Sequence, residues 1–344
     1  NRAGLKFIYE VKKMRFTIGT KARNVFVNNN NLFTNQRITQ NFNNVLPFST
    51  IRYKFSDNKV LDVKYTTSSQ NPTISQLQPV RDNSNPNFIN IGNPNLLPTF
   101  MHSINLNFNS WKSISGKYTW MGLTYNYTNN DIATATTYDS IGRTVSQAIN
   151  VNGNFNFNGY IGTSLPFFSK KLEVGPNLWA SYSENKSFIN GLANNTQDLR
   201  SNLALDVRLN LDDFSAGIAG DYSYNSAYSS LNNSSNTPYS TQGVSGNISA
   251  KLPKNFLLES NADYTINSRR SNGYNINYLV WNASFSKTFF KRENFILGVY
   301  AYDILNQNIS VDRDISSNVV TDIKTNIISR YFLLKATVKF NSNK

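Results

Sequence analysis

Asn150 to Leu165 reads N-V-N-G-N-F-N-F-N-G-Y-I-G-T-S-L. Val151, Phe155, Phe157 and Ile161 share one parity; Asn150, Asn152, Asn154, Asn156 and Asn158 share the other. A strand sends successive side chains to opposite faces, so this segment has one apolar face and one amide face. It is longer than the usual five or six residues of a soluble strand. About ten alternating residues is the length that crosses a bilayer when tilted. Asparagine is a poor strand former. A wet channel wall accounts for its use on the inner face; a dry sandwich core does not.

The same pattern recurs on both sides. Leu5, Phe7, Tyr9 and Val11 reverse at Lys12-Lys13 into Met14, Phe16 and Ile18. Ile51, Tyr53 and Phe55 turn at Ser56 to Lys59 into Leu61, Val63 and Tyr65. Ile104, Leu106 and Phe108 turn near Gly116 into Met121, Leu123, Tyr125 and Tyr127. Later reversals fall at Phe168 to Lys171, Asp212-Asp213, Pro253-Lys254 and Lys291-Arg292-Glu293. Phe332, Leu334, Ala336, Val338 and Phe340 close the chain. Long segments separate these hairpins. Val27 to Asn44, Glu184 to Gln197, Ser226 to Thr241, Asn267 to Gly273 and Asn306 to Thr325 read as loops. Thr128 to Val145 reads as a loop with a small hairpin around Gly142. Ser68 to Pro98 holds five prolines, so neither helix nor inner strand is expected to run through it. It reads as a large extracellular loop.

About fifteen long strands, joined alternately by short turns and long loops, predict an all-β fold: a transmembrane antiparallel β-barrel of the outer-membrane kind. A soluble sandwich has shorter strands and no such alternation of connections. Composition agrees. Asn supplies 55 of the 344 residues, aromatics 13% and hydrophobic residues only 39%. Mean hydropathy is −0.43, and no run approaches the 18 or so apolar residues of a membrane helix. A barrel hides its apolarity in alternation. The net charge of +14 raises a nucleic-acid reading, but the basic residues recur in turns and on strand faces without clustering on one element. Cysteine is absent, which fits an oxidising envelope compartment.

No phosphate-binding loop, zinc-protease helix or dinucleotide fingerprint is present, so no catalytic, cofactor-binding or metal residue and no cofactor is expected. His102, the single histidine, reads as a polar residue where a loop meets a strand, since triads and zinc cages need partners. Asp82 to Asn85 and Asp312 to Asp314 offer oxygens but lack the bidentate acid of a calcium loop. Tyr118, Trp120, Trp179 and Tyr300 fall on the polar parity and are the candidate lumenal ligand contacts. Tyr125, Tyr127, Tyr182, Tyr222, Tyr224 and Tyr264 fall at loop ends on the apolar parity, as an aromatic girdle would.

One stretch resembles a known family. Ser68-Ser69-Gln70-Asn71-Pro72-Thr73-Ile74-Ser75-Gln76-Leu77-Gln78-Pro79, followed by Gly92-Asn93-Pro94-Asn95-Leu96-Leu97-Pro98, is similar to the S-x-x-P-x-x-x-Q-L-x-P and G-N-P-x-L-x-P-E segments of TonB-dependent receptors of the Bacteroidetes type. Thr99 stands where the family has its acid, and Asn341 to Lys344 follow the terminal aromatic Phe340. The resemblance marks Gln76, Leu77, Pro79, Gly92, Asn93 and Pro94 as an extracellular loop motif. It implies a 22-stranded barrel, of which residues 1–344 form the C-terminal part of one barrel domain, with the plug outside this chain. First and last strands both running inward fit positions eight and twenty-two. The implied function is energised uptake of a nutrient such as a glycan, peptide or siderophore. The alternative is a non-transporting barrel serving as surface scaffold or adhesin subunit; an enzyme is not expected. The implied partners are outer-membrane lipid and lipopolysaccharide, TonB through the plug region, and a surface lipoprotein lid; nucleic acid is not among them.

Overall fold

The computed structural model describes residues 2–31, 36–78, 81–231, 238–268, 274–290, 294–316, 319–325 and 327–340. Pro79, the Lys291 to Glu293 turn and the tail after Phe340 lie outside them, as do the side chains of Asp82, Asp312 and Asp314.

The main sheet has 19 strands. Fifteen form one antiparallel wall: β1 (Arg2–Val11), β2 (Met14–Asn31), β3 (Gln36–Ser56), β4 (Lys59–Gln70), β7 (Thr99–Trp111), β8 (Tyr118–Asn129), β11 (Asn154–Phe167), β12 (Leu172–Ile189), β13 (Leu192–Asn210), β14 (Phe214–Ser229), β15 (Tyr239–Leu252), β16 (Phe256–Ser268), β17 (Tyr278–Phe289), β18 (Phe295–Tyr302) and β21 (Tyr331–Val338). The other four, β5 (Arg81–Asn85), β6 (Phe88–Ile91), β9 (Asp131–Tyr138) and β10 (Thr144–Val151), belong to the long connections. Among the described residues β1 pairs only with β2 and β21 only with β18. The sheet therefore has two free edges.

Register fixes the faces. Directly paired residues share a side. One row runs Val11, Met14, Tyr53, Leu61, Phe108, Met121, Ile161, Leu178, Leu203 and Tyr222. Ten consecutive strands thus put an apolar side chain on one face, and these side chains stay open: Leu203 is 57% exposed and Ile161 48%. Among the described residues no second layer covers them. The wall is one sheet thick.

The buried apolar residues lie elsewhere. Among the described residues they are Phe42, Leu77, Ile89, Leu96, Val151 and Ala227, and all six belong to the long-connection end of the molecule. This corrects the expectation for Ser68 to Pro98. The segment carries a one-turn helix, α1 (Ile74–Leu77), and the strands β5 and β6. Its described prolines bound these elements without interrupting them. Pro72 precedes the helix cap Thr73, and Pro86 sits in the β5–β6 turn.

Other loops are also strands. Val27 to Asn44 is the paired upper half of β2 and β3, with Asn31 opposite Gln36. Asn24 Nδ2 donates to Asn41 Oδ1 at 2.6 Å and Asn43 Oδ1 at 2.7 Å. Glu184 to Gln197 belongs to β12 and β13, joined by Asn190 (φ 49°) and Gly191 (φ 78°), the two positive-φ positions of a tight hairpin turn. Asn306 to Thr325 holds a separate hairpin of β19 (Ser310–Ser316) and β20 (Val319–Thr325). Beyond the apolar band both faces of a strand meet water, so alternation disappears while the backbone ladder continues. The Asn150 strand is shorter than its pattern. It breaks at Gly153 (φ 90°), where β10 has ended and β11 has yet to begin.

The β9–β10 hairpin confirms the expected reversal around Gly142. Its tip is held by Asp139, which accepts from the Ile141 and Arg143 amides and from Arg143 Nε at 2.6 Å. That hydrogen bond from the Arg143 side chain, above all, holds the exposed Asp139 carboxyl below its ordinary pKa. The tip's stabilisation is therefore present above the ordinary carboxylate pKa and lost as pH falls through the lowered one. The protection factor of the Arg143 amide should fall in that acid window, and Asp139→Asn should remove that fall. A protection factor that still falls in the variant would rule this origin out.

Candidate functional site in the polar wall and the loop layer

The face opposite the apolar rows is mainly polar, with Ile8, Phe48 and Leu257 among its exceptions. One row begins Glu10, Arg15, Arg52, Asp62, Asn107 and Gly122. It continues Tyr160, Trp179, Asn202, Ser223, Thr241 and Asn267. Twelve strands thus contribute no aliphatic side chain to it. Amides bridge neighbouring strands on this face: Asn126 Nδ2 donates to Asn156 Oδ1 at 2.8 Å, and Asn202 Nδ2 to Ser223 Oγ at 2.8 Å. Such bonds use the amides' donor and acceptor together, which offsets their poor strand propensity.

Three of the four aromatic candidates gather here. Tyr118 and Trp120 stack with centroids 5.3 Å apart, and Tyr118 Oη donates to Asn109 Oδ1 at 2.9 Å. The Trp120 ring covers Gly162 and the Tyr160 ring covers Gly122; a Cβ on either glycine would overlap the ring. Each aromatic thus fills the gap its cross-strand glycine leaves. Trp179 is the direct partner of Tyr160. Tyr160 was not among the sequence candidates, although it sits on the asparagine parity of the quoted stretch. Tyr300 lies apart on β18, stacked on Tyr302 and under Lys335 Nζ at 5.7 Å.

Gly162→Val should push Trp120 off its site, costing about 1–3 kcal/mol as an overpacked position does. A red-shifted tryptophan emission, absent when Trp120→Phe is added, would verify the displacement. An unshifted spectrum would refute it.

The motif residues form a small core at the long-connection end. Thr73 and Gln76 cap α1 reciprocally: Thr73 Oγ1 accepts from Gln76 N at 3.3 Å and Gln76 Oε1 from Thr73 N at 2.9 Å. Leu77 is fully buried and Leu96 nearly so. Asn93 N donates to Gln76 O at 2.6 Å, and Asn93 Nδ2 to Ala148 O at 3.0 Å. Gly92 packs so closely on Gln78 that a Cβ would overlap its carbonyl. Pro94 O accepts from Gln40 Nε2 at 2.7 Å. Asn150 then clamps Leu97 through both backbone groups, at 2.8 and 3.0 Å. The segment is thereby tied to β2–β3 on one side and the β9–β10 hairpin on the other, where β6 pairs in parallel with β10.

His102 lies inside β7, on the apolar parity. Its Nδ1 is 2.9 Å from Tyr65 Oη, with Phe100 and Tyr127 around it. Tyr125 and Tyr182 flank Phe155 at about the same height. No cluster of three or more metal-ligating side chains occurs among the described residues.

A one-layer antiparallel wall, apolar and open on one side and crossed by a polar row over twelve strands on the other, is the wall of a transmembrane β-barrel of the outer membrane. The chain belongs to the outer membrane protein beta-barrel family, whose family model matches residues 3–340. No curated protein matches it in sequence. Solved structures that resemble it include the copper transporter OprC (8% identity, TM-score 0.48, 99% of this chain and 58% of that one). Others are the outer membrane transporter YddB from Escherichia coli (10%, 0.27, 98% and 75%) and an FpvAI–pyocin S2 complex (8%, 0.34, 97% and 59%). The chain thus spans 58% of the length of OprC.

Proposed function

We propose that this wall belongs to an energised outer-membrane transporter for a nutrient, coupled to TonB, and that residues 1–344 are the C-terminal part of one 22-stranded barrel domain. The carrying observation is the unbroken polar row from Glu10 to Asn267 across twelve strands. Barrels of about eight strands fill their interior with side chains, whereas wider ones line water or enclose a plug. The two free edges support further strands, because an open sheet edge is not viable in lipid. The likeness of residues 68–98 to TonB-dependent receptors supports the coupling.

On this reading Tyr118, Trp120, Tyr160 and Trp179 contact the solute or the plug, and Tyr300 does so at a second height. Gln76, Leu77, Gly92, Asn93 and Pro94 hold the extracellular loop layer in shape over the pore; Pro79 of the same motif lies outside the described residues. Lipid and lipopolysaccharide cover the apolar rows.

The test is genetic. Deleting the gene in its source bacterium should abolish growth on one glycan, peptide or siderophore-iron source, and deleting the inner-membrane energy transducer should reproduce that loss. Unimpaired growth on every source, with surface attachment reduced instead, would replace transport by the scaffold or adhesin role.

A further inference from the structure

Charge is segregated along the polar wall. On β1 to β4 the register places Lys6, Arg15, Lys21, Arg23, Arg52 and Lys64 on that face, and the only acids there among the described residues are Glu10 and Asp62. On β12 to β16 the same face carries Glu173, Asp206, Asp221 and Glu259. That face also carries three cations: Arg200 and Arg208 are paired with Asp198 and Asp206 at 2.7 and 3.3 Å, and Lys251 Nζ donates to the Asp212 carbonyl at 3.0 Å.

Arg15 and Arg52 are direct cross-strand partners. Like charges directly opposite destabilise a strand pair. Their acids do not relieve this fully: Glu10 stands 3.9 Å from Arg15 and Asp62 3.7 Å from Arg52, both beyond hydrogen-bond distance. The two arginine side chains are 54% and 53% exposed. Lys64 lies opposite Thr50, which pairs with Thr17. Arg15, Arg52, Lys64, Thr17 and Thr50 line, together with the Asp62 carboxylate, Asn105 and Asn107, a concavity of about 640 Å³, within the size range of small-ligand sites.

We propose that this stretch is an anion-binding site for the transported solute, which carries carboxylate or phosphate groups. The inference rests on the transport reading above. Two guanidinium forks on adjacent strands match the paired oxygens of such groups. Lys64 adds a third positive charge, and the Thr17 and Thr50 hydroxyls add hydrogen bonds. The acidic strands repel the same solute and focus it toward β1 to β4. An occupying anion also resolves the Arg15–Arg52 repulsion.

Full-length protein in phosphate-free detergent, stripped of lipopolysaccharide, would be titrated calorimetrically with trigalacturonate, tripolyphosphate and neutral maltotriose. At least one anion should bind, weakening as salt rises, and maltotriose should not. Arg15→Gln/Arg52→Gln/Lys64→Gln should weaken anion binding by about tenfold or more. Arg15→Lys/Arg52→Lys should lose less. Heat-modifiable migration would verify that each variant is folded. No anion binding, equal binding of maltotriose, or an unaffected triple-Gln variant would overturn the proposal. So would equal loss in the Lys variant, or an effect seen only when lipopolysaccharide is added back. Anion binding without energised uptake would retain this site and remove the transport reading; uptake of a neutral nutrient without anion binding would do the reverse.

Discussion

Leu203→Arg should lower folding of the barrel into a bilayer sharply, while Ala204→Arg, one residue on, should be tolerated. Leu203 lies seven residues before the end of β13, about 24 Å of strand. At a 45° tilt that places it about 17 Å deep, inside the apolar band of about 25 Å. Its cross-strand neighbours Leu178 and Tyr222 are apolar and open on the same face. Arginine near the midplane of that band costs about 2–4 kcal/mol, a factor of about 30 to 900 in the folding equilibrium constant. Ala204 faces the polar side, where Asp221 is its direct partner and would receive the new guanidinium. Folding yield into liposomes, read by heat-modifiable migration, compares the two. Equal yields would mean the faces are assigned the wrong way round.

Gly92→Val should dismantle the loop layer and leave the wall standing. The new Cβ would meet the Gln78 carbonyl oxygen, which is backbone and cannot swing aside. Moving the chain apart would break the Asn93 N to Gln76 O bond and open the pocket around Leu77 and Leu96. Leu77→Ala, which leaves a cavity without the overlap, should cost about 2–5 kcal/mol at the same place. Limited proteolysis of the purified protein should then cut within residues 68–98 in both variants and spare that segment in the wild type. The barrel should still migrate as a folded species, because the strands β4 and β7 that flank the segment are fully paired up to Gln70 and Thr99. Wild-type resistance in Gly92→Val would show that Gly92 is not needed for the close approach.

Much of the wall is legible in the chain alone, because a strand crossing lipid must alternate at every step. Phe155, Phe157 and Ile161 announce their face, and the reversals at Lys12-Lys13 and Asp212-Asp213 announce the ends. The count of about fifteen strands follows from the same constraint. Where lipid ends, so does the constraint. Val27 to Asn31 and Asn185 to Asn195 read as loops, yet the structure extends the ladder through them, since backbone pairing needs no alternation once both faces are wet. Ser68 to Pro98 misleads for a related reason. Its prolines forbid long elements and say nothing about a one-turn helix fitted between them or about the packing of Leu77 under Leu96.

The sequence by itself determined the fold class, the inner and outer parity of each spanning strand, and the motif at residues 68–98. Only the tertiary structure decided which residues meet across strands. Pairing register joins positions far apart in the chain: Arg15 to Arg52, Trp179 to Tyr160, Gly122 to Tyr160. A shift of one residue would send each to the opposite face. Parity states that a charge or a ring points inward; register states what it meets there, and register is set by the whole ladder and its turns.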